Sequence, residues 1–134
     1  MIFNRDTVAD NTDPRTLLQM LDIYKRPSRI RGTFELAVTI LPLAFLWIAA
    51  WLAYTEGYWW ICLLIAIPAA GLLLRLFVIQ HDCGHGIFYP HKQLNDWVGR
   101  LISVLTMTPY DFWRRTHAIH HATCGNLDRR GIGD

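Results

Sequence analysis

Charge is scarce in this sequence over its longest continuous stretch. Between Phe34 and Ile79 the only ionised side chains are Glu35, Glu56 and Arg75. A chain of 134 residues has the length of one small soluble domain. Its apolar residues are too concentrated for that reading. Cysteine is scarce as well. Cys62 lies in an apolar run, and Cys83 and Cys124 lie within or just after polar segments. An odd number without regular spacing argues against a secreted disulfide framework and for a reducing, cytosolic face. The net charge is only +2, and no basic stripe is interleaved with aromatic residues; a nucleic-acid partner is therefore not expected. Residues 1–33 have neither the apolar core nor the small-residue cleavage site of a signal peptide. They read as a polar cytosolic arm with one short amphipathic helix near Thr16–Tyr24, stopped by Pro27, which cannot donate a backbone bond and disfavours helix before it.

The low-charge stretch divides into two spans. Phe34 to Tyr54 would make about 31 Å of helix, matching a hydrocarbon core of roughly 30 Å. Being apolar on all sides, it suits lipid better than the core of a soluble protein. Pro42 lies within it, which a bilayer helix tolerates. Thr55-Glu56-Gly57 reads as a turn. The second span opens on Tyr58-Trp59-Trp60, aromatics that suit the headgroup level. It runs past Pro68 and Gly71 to Arg75, whose long stem lets its charge reach water. Lys25, Arg26, Arg29 and Arg31 precede the first span, and Arg75, Lys92 and Arg100 come at or after the end of the second, while the turn has no Lys or Arg. The positive-inside rule puts both flanks in the cytosol. The predicted fold is all-α and integral to the membrane. One transmembrane hairpin (34–80, spans of about 34–54 and 58–79) leads into a cytosolic region (81–134) with an interfacial helix at about 96–108.

Two histidine clusters follow the hairpin: His81-Asp82-Cys83-Gly84-His85 and His117-Ala118-Ile119-His120-His121. Neutral imidazole is the commonest protein metal ligand. Nothing from Arg75 to His85 must break a helix, although Gly84 weakens it and Pro90 closes the stretch. On such a helix His81 and His85 share a face, and Asp82 is placed to orient a histidine. In the next segment Asn95 or Asp96 is a candidate cap for a helix ended by Pro109, with Trp97, Leu101 and Leu105 on one stripe broadened by Val98 and Ile102. That helix is too short to span a bilayer and fits the interface, or else the core of a soluble cap. Asp111 is the candidate cap of the second cluster's helix, and Gly125-Asn126 its end. His117, His120 and His121 stand at i, i+3 and i+4. Three imidazoles on one face repel when protonated, and a metal removes that cost. His91, beside Lys92, reads as a solvated surface residue. A thiolate-poor, histidine-rich set fits iron, zinc or copper. A zinc site recruiting Cys83 and Cys124 lacks compact CxxC spacing. Haem would need histidines inside the bundle. Five imidazoles exceed one tetrahedral ion and favour two metals.

The pattern HxxxH, a spacer of about thirty residues, then HxxHH resembles the membrane fatty acid desaturases. His-Asp-Cys-Gly-His is similar to the first histidine box of their acyl-lipid, Δ12 (omega-6) type branch. The stretches Trp113-Arg114-Arg115-Thr116-His117 and Gly125-Asn126-Leu127-Asp128 are similar to bacterial members. The resemblance covers about Arg31 to Asp134. It implies a di-iron oxidase that uses O2 to place a cis double bond in an acyl chain, with His81, His85, His117, His120 and His121 as iron ligands and no catalytic residue beyond them. It also implies a multi-pass protein of the bacterial inner membrane, a membrane lipid or acyl substrate, and an electron donor such as ferredoxin or cytochrome b5, which Arg114 and Arg115 would contact if they do not meet a headgroup or solvent. An alkyl C–H bond has neither an acidic proton nor a leaving group, so a redox metal must perform the hard step. Family members carry a third histidine box after a second pair of spans. On that basis the sequence reads as the amino-terminal portion of a desaturase. The alternatives are an acyl hydroxylase on the same scaffold and a non-catalytic hairpin binding zinc.

Overall fold

The computed structural model describes residues 27–124. The helix anticipated at Thr16–Tyr24 and the helix end anticipated at Gly125-Asn126 lie outside them. Four helices follow one another: α1 (Arg29–Thr55), α2 (Trp59–His85), α3 (Lys92–Leu105) and α4 (Tyr110–Thr123). No strand occurs among the described residues, so the fold is all-α.

The first two helices form an antiparallel hairpin. Each has 27 residues, about 40 Å at 1.5 Å per residue, longer than the roughly 30 Å of a bilayer's hydrocarbon core. Only 11% of the apolar window of either helix is buried, whereas core helices of a soluble domain bury most of theirs. Leu41, Phe45, Trp51, Leu63 and Ile67 all point outward. Surfaces of this kind are stable against lipid. Pro42 and Pro68 lie inside α1 and α2, and both helices continue through them. The turn forms at Glu56-Gly57-Tyr58, where Gly57 has φ 83°, a left-handed conformation that glycine adopts without cost. Along the seam the Arg75 guanidinium donates to the Glu35 carboxylate, so the charges near the two ends of the apolar stretch neutralise one another.

The structure extends α2 beyond the predicted span, to His85. Gly86 ends it, four residues before the Pro90 expected to close the stretch. With φ 73° Gly86 lets its own amide reach the Cys83 carbonyl, while the Ile87 amide reaches that of Asp82, the usual left-handed close of a helix. The following helix also begins earlier than expected, at Lys92 with His91 as its cap. Asn95 does not cap it. Its side chain turns back into the preceding loop, accepting from the Tyr89 amide at 2.8 Å and donating to the Tyr89 carbonyl at 2.8 Å. The expected α3 stripe divides. Val98 and Leu105 are half-buried and Ile102 fully so, whereas Trp97, Leu101 and Val104 are exposed. Asp111 does not cap α4. Pro109 holds that place, and the Asp111 carboxylate binds Arg100 of α3 in a bidentate pair.

α2 is the hub. α1 packs along it, and α3 and α4 pack on its last turns. The core joins Leu43, Ala69, Leu76, Ile79 and Cys83 to Ile102 and Tyr110. Fully buried Gln80 accepts from the Thr106 hydroxyl at 2.6 Å and donates to the Thr108 carbonyl at 3.1 Å. It thereby fixes the α3–α4 turn on α2 immediately beside His81.

Candidate metal centre

The spacing of the two clusters becomes geometry because α2 continues to His85 and α4 crosses beside its end. His81 and His85, four residues apart on α2, turn their rings to the same side. His117 and His121, four apart on α4, turn toward them. The four Nε2 atoms converge: 3.0 Å from His117 to His81, 3.3 Å from His117 to His85, 3.3 Å from His85 to His81 and 3.0 Å from His121 to His117. Ligand atoms from all four lie within 4.8 Å of one another.

Protons alone cannot satisfy this arrangement. Each neutral imidazole Nε2 carries either one proton or one lone pair, so four such atoms can form at most two hydrogen bonds. In the triangle of His81, His85 and His117, at least one contact sets proton against proton or lone pair against lone pair whatever the tautomers. A cation accepting four lone pairs resolves the conflict. At metal–nitrogen bonds of about 2.1 Å, neighbouring donors stand about 3.0–3.4 Å apart, depending on whether the angle is 90° or tetrahedral. The four close separations fall in that range and the whole set lies within 4.8 Å, so the four residues are grouped closely enough to be candidate ligands of one ion. Burial, then the fields of His81 and His121, hold His117 below the ordinary imidazole range, which keeps it in the neutral, ligating form. Asp82 Oδ1 lies 3.4 Å from His81 Nδ1, on the side of the ring away from the cluster, where a carboxylate favours a proton on Nδ1 and a lone pair on Nε2.

One predicted ligand position, His120, behaves differently from the rest, while His91 is the surface residue it was expected to be. His120 is half-buried on α4 but stands apart from the four-residue group. Its ring lies nearly parallel to that of His117 with centroids 6.0 Å apart, and 5.9 Å from that of His121. An i+3 step turns a side chain about 60° short of a full turn, which carries His120 off the i, i+4 row. His91 is exposed and outside the group.

Tyr110, Asp96 and Arg114 hold α4 at this distance from α2; Asp96 was expected as a helix cap and Arg114 as a contact to a donor, headgroup or solvent, and neither in this role. The Tyr110 hydroxyl lies 3.0 Å from both the Cys83 carbonyl and Asp96 Oδ1, and Arg114 donates to the same carboxylate oxygen at 2.8 Å. Burial, reinforced by Asp96, pushes the phenol well above its ordinary range, so Tyr110 keeps its proton. Tyr110 rests on Gly99 so closely that a Cβ there would come within 2.2 Å of its ring. An open cleft of about 850 Å³ reaches the cluster from one side, lined by Gly84, His85, Trp113, Arg115, His117 and His121 among others. The available sequence signals were position 113, one helical turn before His117, and a polar Gln80 closing an apolar run beside His81.

Comparison with known proteins identifies a family. The family model for fatty acid desaturase matches residues 58–131, more than half of the chain. The chain is 38% identical over 120 residues to a fatty acid desaturase of Bacillus subtilis (strain 168), a match covering 90% of this chain and 34% of that protein. It is 49% identical over 57 residues to the sn-1 acyl-lipid omega-3 desaturase (ferredoxin) of Synechocystis sp., covering 42% of this chain and 16% of that one. It is 38% identical over 87 residues to the Delta(12) fatty acid dehydrogenase of Crepis alpina, covering 65% of this chain and 20% of that one. No solved structure matches. An all-helical membrane hairpin ending in paired histidine boxes defines the class, and the chain belongs to the fatty acid desaturase family. It spans about a third of the length of the Bacillus relative.

Proposed function

We propose that this chain supplies the first iron site of a di-iron acyl desaturase, a membrane enzyme that uses O2 to introduce a cis double bond into a lipid-borne acyl chain. The supporting observation is the convergence of four imidazole nitrogens at 3.0–3.3 Å on the end of an apolar hairpin. His81, His85, His117 and His121 hold one iron ion. His120, offset from them, ligates the second together with donors outside the described residues. Bound iron supplies the redox chemistry that an unactivated C–H bond requires. The protein's own part is to keep four lone pairs aimed at one point, to hold His81 in the correct tautomer through Asp82, and to keep the site at the membrane surface, where an acyl chain reaches it from lipid.

Membrane topology follows from the same reading. Both hairpin flanks carry Arg or Lys and the turn carries none, which supports a cytosolic side for the histidines; the bacterial inner membrane is the proposed location, supported by the similarity to a Bacillus desaturase. The exposed Trp97, Leu101 and Val104 face of α3 rests in the cytosolic interface. Ferredoxin is the favoured electron donor, since desaturases of Synechocystis and Nostoc similar to this chain carry it in their names; cytochrome b5 is the alternative.

A set of four converging imidazoles also suits zinc, so metal content must be measured. Protein isolated in mild detergent from iron-replete cells is expected to contain iron. His117→Ala should lose it, His120→Ala should retain the first ion while abolishing double-bond formation in cells, and His91→Ala should change neither. Zinc persisting under excess iron would reject the oxidase, and a hydroxylated acyl product without an alkene would replace desaturation with hydroxylation.

A further inference from the structure

We propose that Trp113 is a positioning residue that sets the ring plane of His117 and the spacing between the two histidine boxes. This rests on the four histidines forming a metal site, and it adds a residue to which nothing above assigns a role.

Trp113 lies one helical turn before His117. The two rings stack with centroids 4.6 Å apart and 16° between planes. The same indole lies 5.6 Å from His81 and meets Phe77 edge-on at 5.7 Å. It therefore touches one ligand from each box. Beneath it is Gly84, between the two ligands of α2. A Cβ at that position would lie 2.8 Å from the indole Cζ3. The opposing atom belongs to a rigid ring, not to the flexible end of a side chain, so any residue larger than glycine must displace the indole from its place against α2. Glycine costs helix stability at this position, as the sequence indicates. Close approach of the indole accounts for that cost. The electron-rich indole face also suits an imidazole that gains positive character on binding a cation. Groups that orient a ligand in this way typically change metal affinity ten- to a hundredfold.

Co(II) added to the purified chain in detergent micelles is a suitable probe, because its visible absorption reports coordination geometry. Wild type is expected to bind one ion per chain with partial loss of tryptophan fluorescence. Trp113→Phe should remove most of that loss, because Trp113 stacks on a ligand whereas Trp59 and Trp60 lie at the far end of α2, about 30 Å away by helix rise; Trp97→Phe is the control for the remainder. Trp113→Ala should weaken Co(II) binding about ten- to hundredfold and alter the absorption band, and Trp113→Phe, which keeps a ring, should recover most of the affinity. Gly84→Ala should weaken binding in the wild-type background and add nothing to Trp113→Ala, since its effect passes through the indole. If Trp113→Ala does not fold, Gly84→Ala and Trp113→Phe carry the test. Wild-type affinity and spectrum in both Trp113→Ala and Gly84→Ala, with binding abolished by His117→Ala, would overturn the positioning role and leave the metal site standing. Unaltered binding in His117→Ala, or no binding by wild type, would overturn the metal site itself.

Discussion

Asn95 is fully buried, and its side chain completes the backbone of its neighbours instead of capping a helix. It pairs with both the amide and the carbonyl of Tyr89 and donates to the His91 carbonyl at 3.2 Å. Tyr89 in turn lies against Gly32 of α1, so the loop between α2 and α3 is anchored on the hairpin. Asn95→Asp keeps the shape but removes both donor protons and brings a carboxylate beside two carbonyl oxygens. Leaving a buried partner unsatisfied costs about 1–3 kcal/mol, so the variant should lose at least ~2 kcal/mol of stability, seen as a lower melting temperature by circular dichroism in detergent. An unchanged melting curve would show that the loop does not depend on this residue. The same position shows why sequence reasoning goes astray at single residues. An asparagine before an apolar stripe has the chemistry of a cap, and the amide that would cap a helix closes a loop equally well. Which backbone groups lie within its reach is decided by tertiary packing.

At the level of elements, α3 and α4 are joined by paired charges as well as by the apolar contact of Ile102 and Tyr110. Asp111 accepts from Arg100 at 2.9 and 3.1 Å. That hydrogen bond, with the nearby Arg100 and Arg115 charges, holds its carboxyl below the usual range. A carboxyl whose folded pKa is depressed stabilises the fold above its unfolded pKa, near 4, and loses that contribution as the pH falls through the lower folded value. Asp111→Asn is therefore expected to melt slightly below wild type at pH 7 and together with it near pH 2. The effect should be small because the pair is exposed, and a gap that persists into acid would assign the difference to something other than this charge. The helices themselves were legible. Low charge over Phe34–Ile79, aromatic residues after the turn and i, i+4 histidines each follow from a period or a solvation rule that acts locally. Helix ends were less so. Gly86, not Pro90, stops α2, because a left-handed glycine closes a helix as soon as the chain needs to turn, and proline only forbids what would come later. The convergence of the two boxes was expected from their lying on one side of the membrane, whereas the 60° offset that separates His120 from its neighbours appears only once α4 is placed against α2.

For the whole molecule, the open question of greatest consequence is which side of the membrane holds the histidines, and the three cysteines are placed to answer it. Cys62 sits in the first turns of α2, half-buried, with its thiol donating to the Ala50 carbonyl at 3.3 Å. Cys83 is buried between the two ligands of the first box. Cys124, just past α4, is exposed. Maleimide reacts with the thiolate, which needs water and access, so Cys124 is expected to be the reactive thiol. The proposed topology, argued from the positive-inside distribution, has it on the cytosolic side. A membrane-impermeant maleimide should then modify Cys124 in everted inner-membrane vesicles and leave it unmodified in intact spheroplasts, with peptide mass spectrometry identifying the labelled site. Detergent should leave Cys83 protected in both preparations, because the packing of Tyr110 and Ile102 covers it, not the lipid. Labelling of Cys124 from the outside would invert the hairpin. It would also place the histidine cluster on the face away from cytosolic ferredoxin, removing the route by which that donor could deliver electrons to the site.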